Sequence, residues 1–151
     1  MRLLLKGTFS LYAIALVYVF FFLPTRQNVS GGNIVPFQTI RRYKKQYELF
    51  KLHVPTSYGI EAQIYGNILI FIPFGFVLPI LFRRFRNPLL SIGLVFFLSL
   101  LVESIQRVFR IGQFDVDDII LNATGGIIGF VAFVIGDWLL WEYKKRNLSL
   151  E

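Results

Sequence analysis

The sequence contains no cysteine and a single histidine, His53. Disulfides, thiolate nucleophiles and cysteine-ligated metals are therefore excluded, and one imidazole cannot build a histidine-rich zinc site. His53 reads as an ordinary interfacial residue of the first loop. Acids are scarce as well, with nine Asp and Glu against sixteen Lys and Arg, which leaves a net charge of +7. On a chain this apolar, a basic excess belongs to loops lying against anionic lipid head groups, and no nucleic-acid partner is expected. Charged residues of both signs make up 17% of the chain, where soluble domains carry about a quarter. No internal repeat or low-complexity segment is evident.

What the sequence has in excess is hydrophobic residues, 55% of 151, in long uninterrupted blocks. A water-facing helix cannot carry such blocks without exposing an apolar outer face. Gly7 to Leu23 is free of charge, between Lys6 and Pro24. Arg2 and Lys6 give it the basic start of a secretory leader, but Phe20, Phe21 and Phe22 leave no small-residue cleavage site, so an uncleaved anchor is expected. The block from Ala62 to Phe82 suffices for a hydrocarbon core of about 30 Å. Pro73 and Pro79 fall inside it, and a kink is expected near Pro73. Arg83, Arg84, Arg86 and Asn87 end it, and Pro88 suits the first turn of the next helix. That third span has a polar end, where Glu103, Gln106, Arg107 and Arg110 follow Val102. The fourth apolar stretch follows Asp115, Asp117 and Asp118, and closes on Asp137, Trp138 and Trp141 at the depth where aromatic rings prefer the membrane interface.

The expected fold is an all-α, polytopic membrane bundle forming a single domain over 1–151. Its spans are about 7–23, 62–82, 88–108 and 118–141. An even number of crossings puts both termini on one side, together with Arg83, Arg84 and Arg86, and the positive-inside rule makes that side cytoplasmic. The opposite side carries as many basic residues, mostly in the first loop. Within that loop, over about 37–52, Phe37, Ile40, Tyr43, Tyr47 and Phe50 recur at steps of three or four, while Arg41, Arg42, Lys44, Lys45 and Lys51 fill the other side. This pattern predicts a basic amphipathic helix that either lies in the head-group plane or caps the bundle.

Glu103, Gln106 and Arg110 share one face of the third helix, with Ser99 a turn deeper. Asp118 and Asn122 are one turn apart on the fourth helix, and Asn67 lies near the start of the second. If the helices alternate in direction, these groups meet at one end of the bundle. Polar residues within spans normally face the bundle interior and pair there. The simplest account of Asp115, Asp117 and Asp118 is helix capping and pairing with the helix dipole, with Arg107 and Arg110 neutralising the remaining charge in a salt-bridged lid. Glu103 interrupts a lipid-grade run and is harder to explain that way. Asn122, Gly125, Gly129, Ala132 and Gly136 form a stripe of small residues suited to close helix packing.

Four segments together resemble one known family: Asn33-Ile-Val-Pro-Phe37; Asn67-Ile-Leu-Ile-Phe-Ile-Pro-Phe-Gly75; Glu103 with Gln106 and Arg110; and Asp115-Val-Asp-Asp-Ile-Ile-Leu-Asn-Ala-Thr-Gly-Gly126 with Gly129. The chain resembles the VanZ-like membrane proteins of bacteria, whose founding member is associated with teicoplanin resistance. The resemblance implies a multi-pass protein of the bacterial cell membrane with a role in low-level glycopeptide or lipoglycopeptide resistance; it supplies no catalytic residue and no cofactor. The first expectation is thus a non-enzymatic envelope protein with a polar pocket at the outer face. Asn67, Glu103, Gln106, Arg110, Asp115, Asp117, Asp118 and Asn122 are its binding candidates, and Gly125, Gly129 and Gly136 serve helix packing. Membrane lipids are the expected partners, with a glycopeptide or a lipid-linked cell-wall precursor as the candidate ligand. A metal-dependent enzyme acting on a lipid-linked phosphate, in which the three aspartates hold magnesium, is the alternative, and an accessory subunit of another membrane protein is a third.

Overall fold

The computed structural model describes residues 2–22, 32–52 and 60–148. His53 and Pro24 lie outside the described residues. Helix α1 spans Arg2–Phe22, α2 Gln38–Lys51, α3 Ile60–Leu81, α4 Pro88–Phe109 and α5 Val116–Leu148, with a 3-10 turn over Arg83–Arg86 before α4. Helices α1, α3, α4 and α5 are each long and apolar enough to cross a membrane. Helix α1 starts earlier than the uncharged block, taking in Lys6, and α5 continues through Lys144, Lys145 and Arg146. The basic amphipathic stretch forms α2 within a residue or so of its expected bounds.

Local chemistry sets these boundaries. Pro88 occupies the first turn of α4, where a missing N–H costs nothing, and the Asn87 side chain caps that turn by accepting from the Leu89 and Leu90 N–H groups at 2.9 and 3.4 Å. Helix α4 ends at Arg110, which takes the left-handed conformation (φ 57°) that closes many helices. Helix α3 continues through both prolines. In the turn before Pro73 the Ile70 carbonyl accepts the Tyr12 hydroxyl of α1, which ties the two helices together.

The closest packing joins α3 and α5. A Cβ at Gly125 would fall on the Ile68 carbonyl, and one at Gly129 on the Ile72 carbonyl. Both contacts advance four residues along each helix, so α3 and α5 run in the same direction, with α4 antiparallel between them in sequence. Gly75 of α3 meets the Gly126 backbone, and Gly126 in turn sits against Val95 of α4. Lipid gives helices no hydrophobic reason to associate, so contact at backbone distance, by dispersion, holds such a seam. Leu16 and Phe20 of α1 join Phe71, Phe74, Leu78 and Val95 in the apolar core. The outward rows, including Ile14, Leu69, Phe97 and Val131, are also apolar. A surface of that kind faces hydrocarbon rather than water.

Candidate functional site: a polar cluster at one end of the bundle

Because α3 and α5 are parallel and α4 opposes them, the first turns of α3 and α5 meet the last turns of α4. The polar residues of all three helices therefore collect at one end. Ser99, Glu103 and Gln106 are fully buried there, with Asp117, Asp118, Asn122 and Asn67 almost as deep. The C-terminal end of α1 arrives at the same level, since the Gln106 Nε2 donates to the Phe20 carbonyl at 2.7 Å. The start of α1 and the end of α5 belong to the opposite end.

Asp115 and Asp117 organise the cluster. Asp115 caps α5, its Oδ1 accepting from the Asp117 N–H at 2.9 Å and from Asn33 Nδ2 at 2.9 Å. Its Oδ2 accepts from Gln63 Nε2 at 3.2 Å and Thr39 Oγ1 at 3.3 Å. Asp117 reaches back to the segment before α2. One oxygen accepts the Phe37 N–H, and the other accepts the Thr39 N–H at 2.5 Å and Asn33 Nδ2 at 3.2 Å. Backbone bonds complete the splice, Asn33 N–H to the Phe114 carbonyl at 2.8 Å and Val116 N–H to the Asn33 carbonyl at 2.9 Å. Phe37 has φ 64°, a left-handed conformation disfavoured for a bulky side chain by about 1–2 kcal/mol. The hydrogen bond to Asp117 holds it there.

The remaining acids look inward. Glu103 Oε2 accepts the Asp115 N–H at 2.9 Å, and Asp118 Oδ1 accepts Gln63 Nε2 at 2.8 Å. One turn deeper, Asn122 Nδ2 donates to Ser99 Oγ at 2.7 Å. The Ser99 hydroxyl oxygen thus accepts from an amide. Among the described residues no group of three or more carboxylates is arranged to hold a metal ion. Both oxygens of Asp115 and of Asp117 accept hydrogen bonds from N–H or O–H donors of the chain.

A comparison with known families fits this architecture. The family model described as VanZ/LLP1 matches residues 9–139. The chain belongs to the VanZ/LLP1 family. Among curated proteins it is similar to Protein VanZ of Enterococcus faecium, 28% identical over 128 residues that cover 85% of this chain and 72% of that one. No solved structure matches it.

In this VanZ-family chain, the candidates Asn67, Glu103, Gln106, Asp115, Asp117, Asp118 and Asn122 all lie at the cluster end. Arg110 does not join their hydrogen bonds. It sits at the exposed C-cap of α4, and neither it nor Arg107 forms an ion pair among the described residues. The salt-bridged lid is therefore replaced by pairing of Asp115 and Asp117 with amides and backbone. The expected small-residue stripe is real for Gly125 and Gly129, but Ala132 is exposed and a Cβ at Gly136 would meet nothing within 4 Å. Gly136 thus packs against no other helix among the described residues. Sequence reading missed Gln63 and Thr39, which carry no spacing signal, and the side-chain role of Asn33, which was noticed only as part of a segment.

Proposed function

We propose that this chain acts as a non-enzymatic cell-envelope protein with a role in low-level resistance to teicoplanin-type glycopeptides. On this reading the polar cluster faces outward with both termini cytoplasmic, and its inward-facing groups, Glu103, Gln106, Asp118, Asn122 and Asn67, engage a polar ligand. That ligand is a glycopeptide or a lipid-linked cell-wall precursor. One observation carries the proposal: polar side chains from three spans are buried together at one end, where placing them in a membrane is costly and their usual explanation is functional. Asp115 and Asp117 then serve as scaffold, since their oxygens are filled from within the chain. Magnesium-dependent chemistry on a lipid-linked phosphate is the weaker reading, because it needs those same oxygens.

The test is susceptibility to teicoplanin beside vancomycin in a strain expressing wild type, Glu103→Gln or Asp118→Asn, with membrane abundance measured in parallel. Wild type should raise teicoplanin tolerance selectively, and each variant should remove that increase at unchanged abundance. No selective change with the wild-type chain would overturn the reading, and a fall in abundance with each variant would assign the two acids to folding instead.

A further inference from the structure

Helix α2 is amphipathic, yet the bundle does not cover its apolar face. Thr39 is buried against α5, and Tyr43, Gln46 and Leu49 are half-buried, which marks the arc turned toward the protein. Ile40, Tyr47 and Phe50 lie beside that arc and remain 38%, 47% and 61% exposed. The segment leading into the helix continues the patch with Ile34 and Phe37, both half exposed or more. Large apolar side chains grouped this way outside a membrane span are costly in water.

The opposite face is cationic. Arg41, Arg42, Lys44 and Lys45 are exposed, and none of them forms an ion pair among the described residues. The one acid of the helix, Glu48, pairs with Lys51 at 3.7 Å. The helix is anchored at two points, both at the rim of the bundle. Its entry is held by Asp117 at the first turn of α5, and Tyr43 reaches Tyr65, near the start of α3, at 3.5 Å between hydroxyls. Helix α2 is therefore fixed at the level where the spanning helices leave the hydrocarbon.

We propose that α2 is a docking surface for anionic phospholipid: Ile40, Tyr47 and Phe50 enter the acyl boundary, while Arg41, Arg42, Lys44 and Lys45 bind head-group phosphates of the same leaflet. An uncovered apolar arc and a row of unpaired cations, held together at the membrane rim, suit an interface that is apolar below and negatively charged above. A water-exposed loop satisfies only the cations. A protein partner that covered the apolar arc would leave the row of cations on the opposite face to water, whereas a lipid leaflet meets both faces at once. This inference concerns the lipid and does not depend on the resistance reading.

The test uses the full chain in nanodiscs. Tyr47→Trp is placed in a background of Trp138→Phe and Trp141→Phe, so that one indole reports on α2. Its fluorescence should be blue-shifted, and brominated phosphatidylglycerol should quench it at least about twofold more than brominated phosphatidylcholine at equal mole fraction. That preference should fall as salt is raised and vanish when Arg41, Arg42, Lys44 and Lys45 are all changed to Gln, with thermal stability unchanged because these side chains are exposed. Water-like, unquenched emission would overturn the proposal. So would equal quenching by the two lipids that the four substitutions leave unaltered, and so would a blue shift without quenching, which would mean that protein covers the face.

Discussion

The two halves of α5 use the same residue types to opposite ends. In the first half, Asp117 is 1% exposed and its oxygens are filled by backbone and amide donors, whereas Asp137 is half exposed and meets Arg86 at 3.6 Å. Gly125 lies against the backbone of α3, whereas Gly136 faces open space. The helix has 33 residues, about 50 Å at 1.5 Å per residue, while α3 has 22 and stops at Leu81. Where α3 runs alongside, glycine and buried carboxylate are structural necessities. In the second half, the same residues are surface. What a residue does on this helix is decided by whether a neighbour's backbone reaches it.

The sharpest test of that contrast is alanine at matched glycines. Gly125→Ala puts a methyl group on the Ile68 carbonyl and should destabilise the bundle by about 3 kcal/mol or more, the upper range of overpacking, while Gly136→Ala should be neutral or stabilising by up to about 1 kcal/mol. Reversible unfolding in mixed detergent–SDS micelles would measure both, and equal losses would break the comparison. Next comes Asp117→Asn, which leaves one N–H acceptor where two are needed and sets an amide NH₂ against a backbone N–H. It should cost about 2 kcal/mol, against less than about 0.5 for Asp137→Asn at its exposed ion pair. Hydrogen exchange at the start of α2 should rise with the first variant alone. A double-mutant cycle between Ser99 and Asn122 should return the smaller coupling typical of polar pairs between spans, about 0.6 kcal/mol. The smallest expected effect is at Arg86→Gln, close to zero; a loss above 1 kcal/mol there would show that the far half of α5 is held as firmly as the near half.

The four spans were readable because charge-free blocks admit little else, and α2 because its apolar positions keep helical spacing over the whole segment. The convergence of Glu103, Asp118 and Asn122 followed from spacing plus alternation of direction. Spacing names a face of a helix but not the partner that meets it. That is why Asn33 and Gln63, 82 and 52 residues from Asp115 in sequence, gave no warning of their roles. It is also why Arg107 and Arg110, close to the acids along the chain, were expected to neutralise them. The left-handed turn at Arg110 redirects the backbone and leaves that side chain outside the hydrogen-bonded cluster. Gly136 misled for a related reason, since a repeat of small residues does not say how far the adjacent helix stays in contact.

The bond between Asp117 and the Phe37 N–H joins residues 80 positions apart. During synthesis at about 5–20 residues per second, Phe37 leaves the ribosome some 4–16 s before its fastening exists. During that interval the second and third spans are made while the loop between the first two stays unlocked. Maturation of this protein therefore finishes from the last crossing backward, and a chain arrested before the fourth span is translated would lack the means to seat its own first loop.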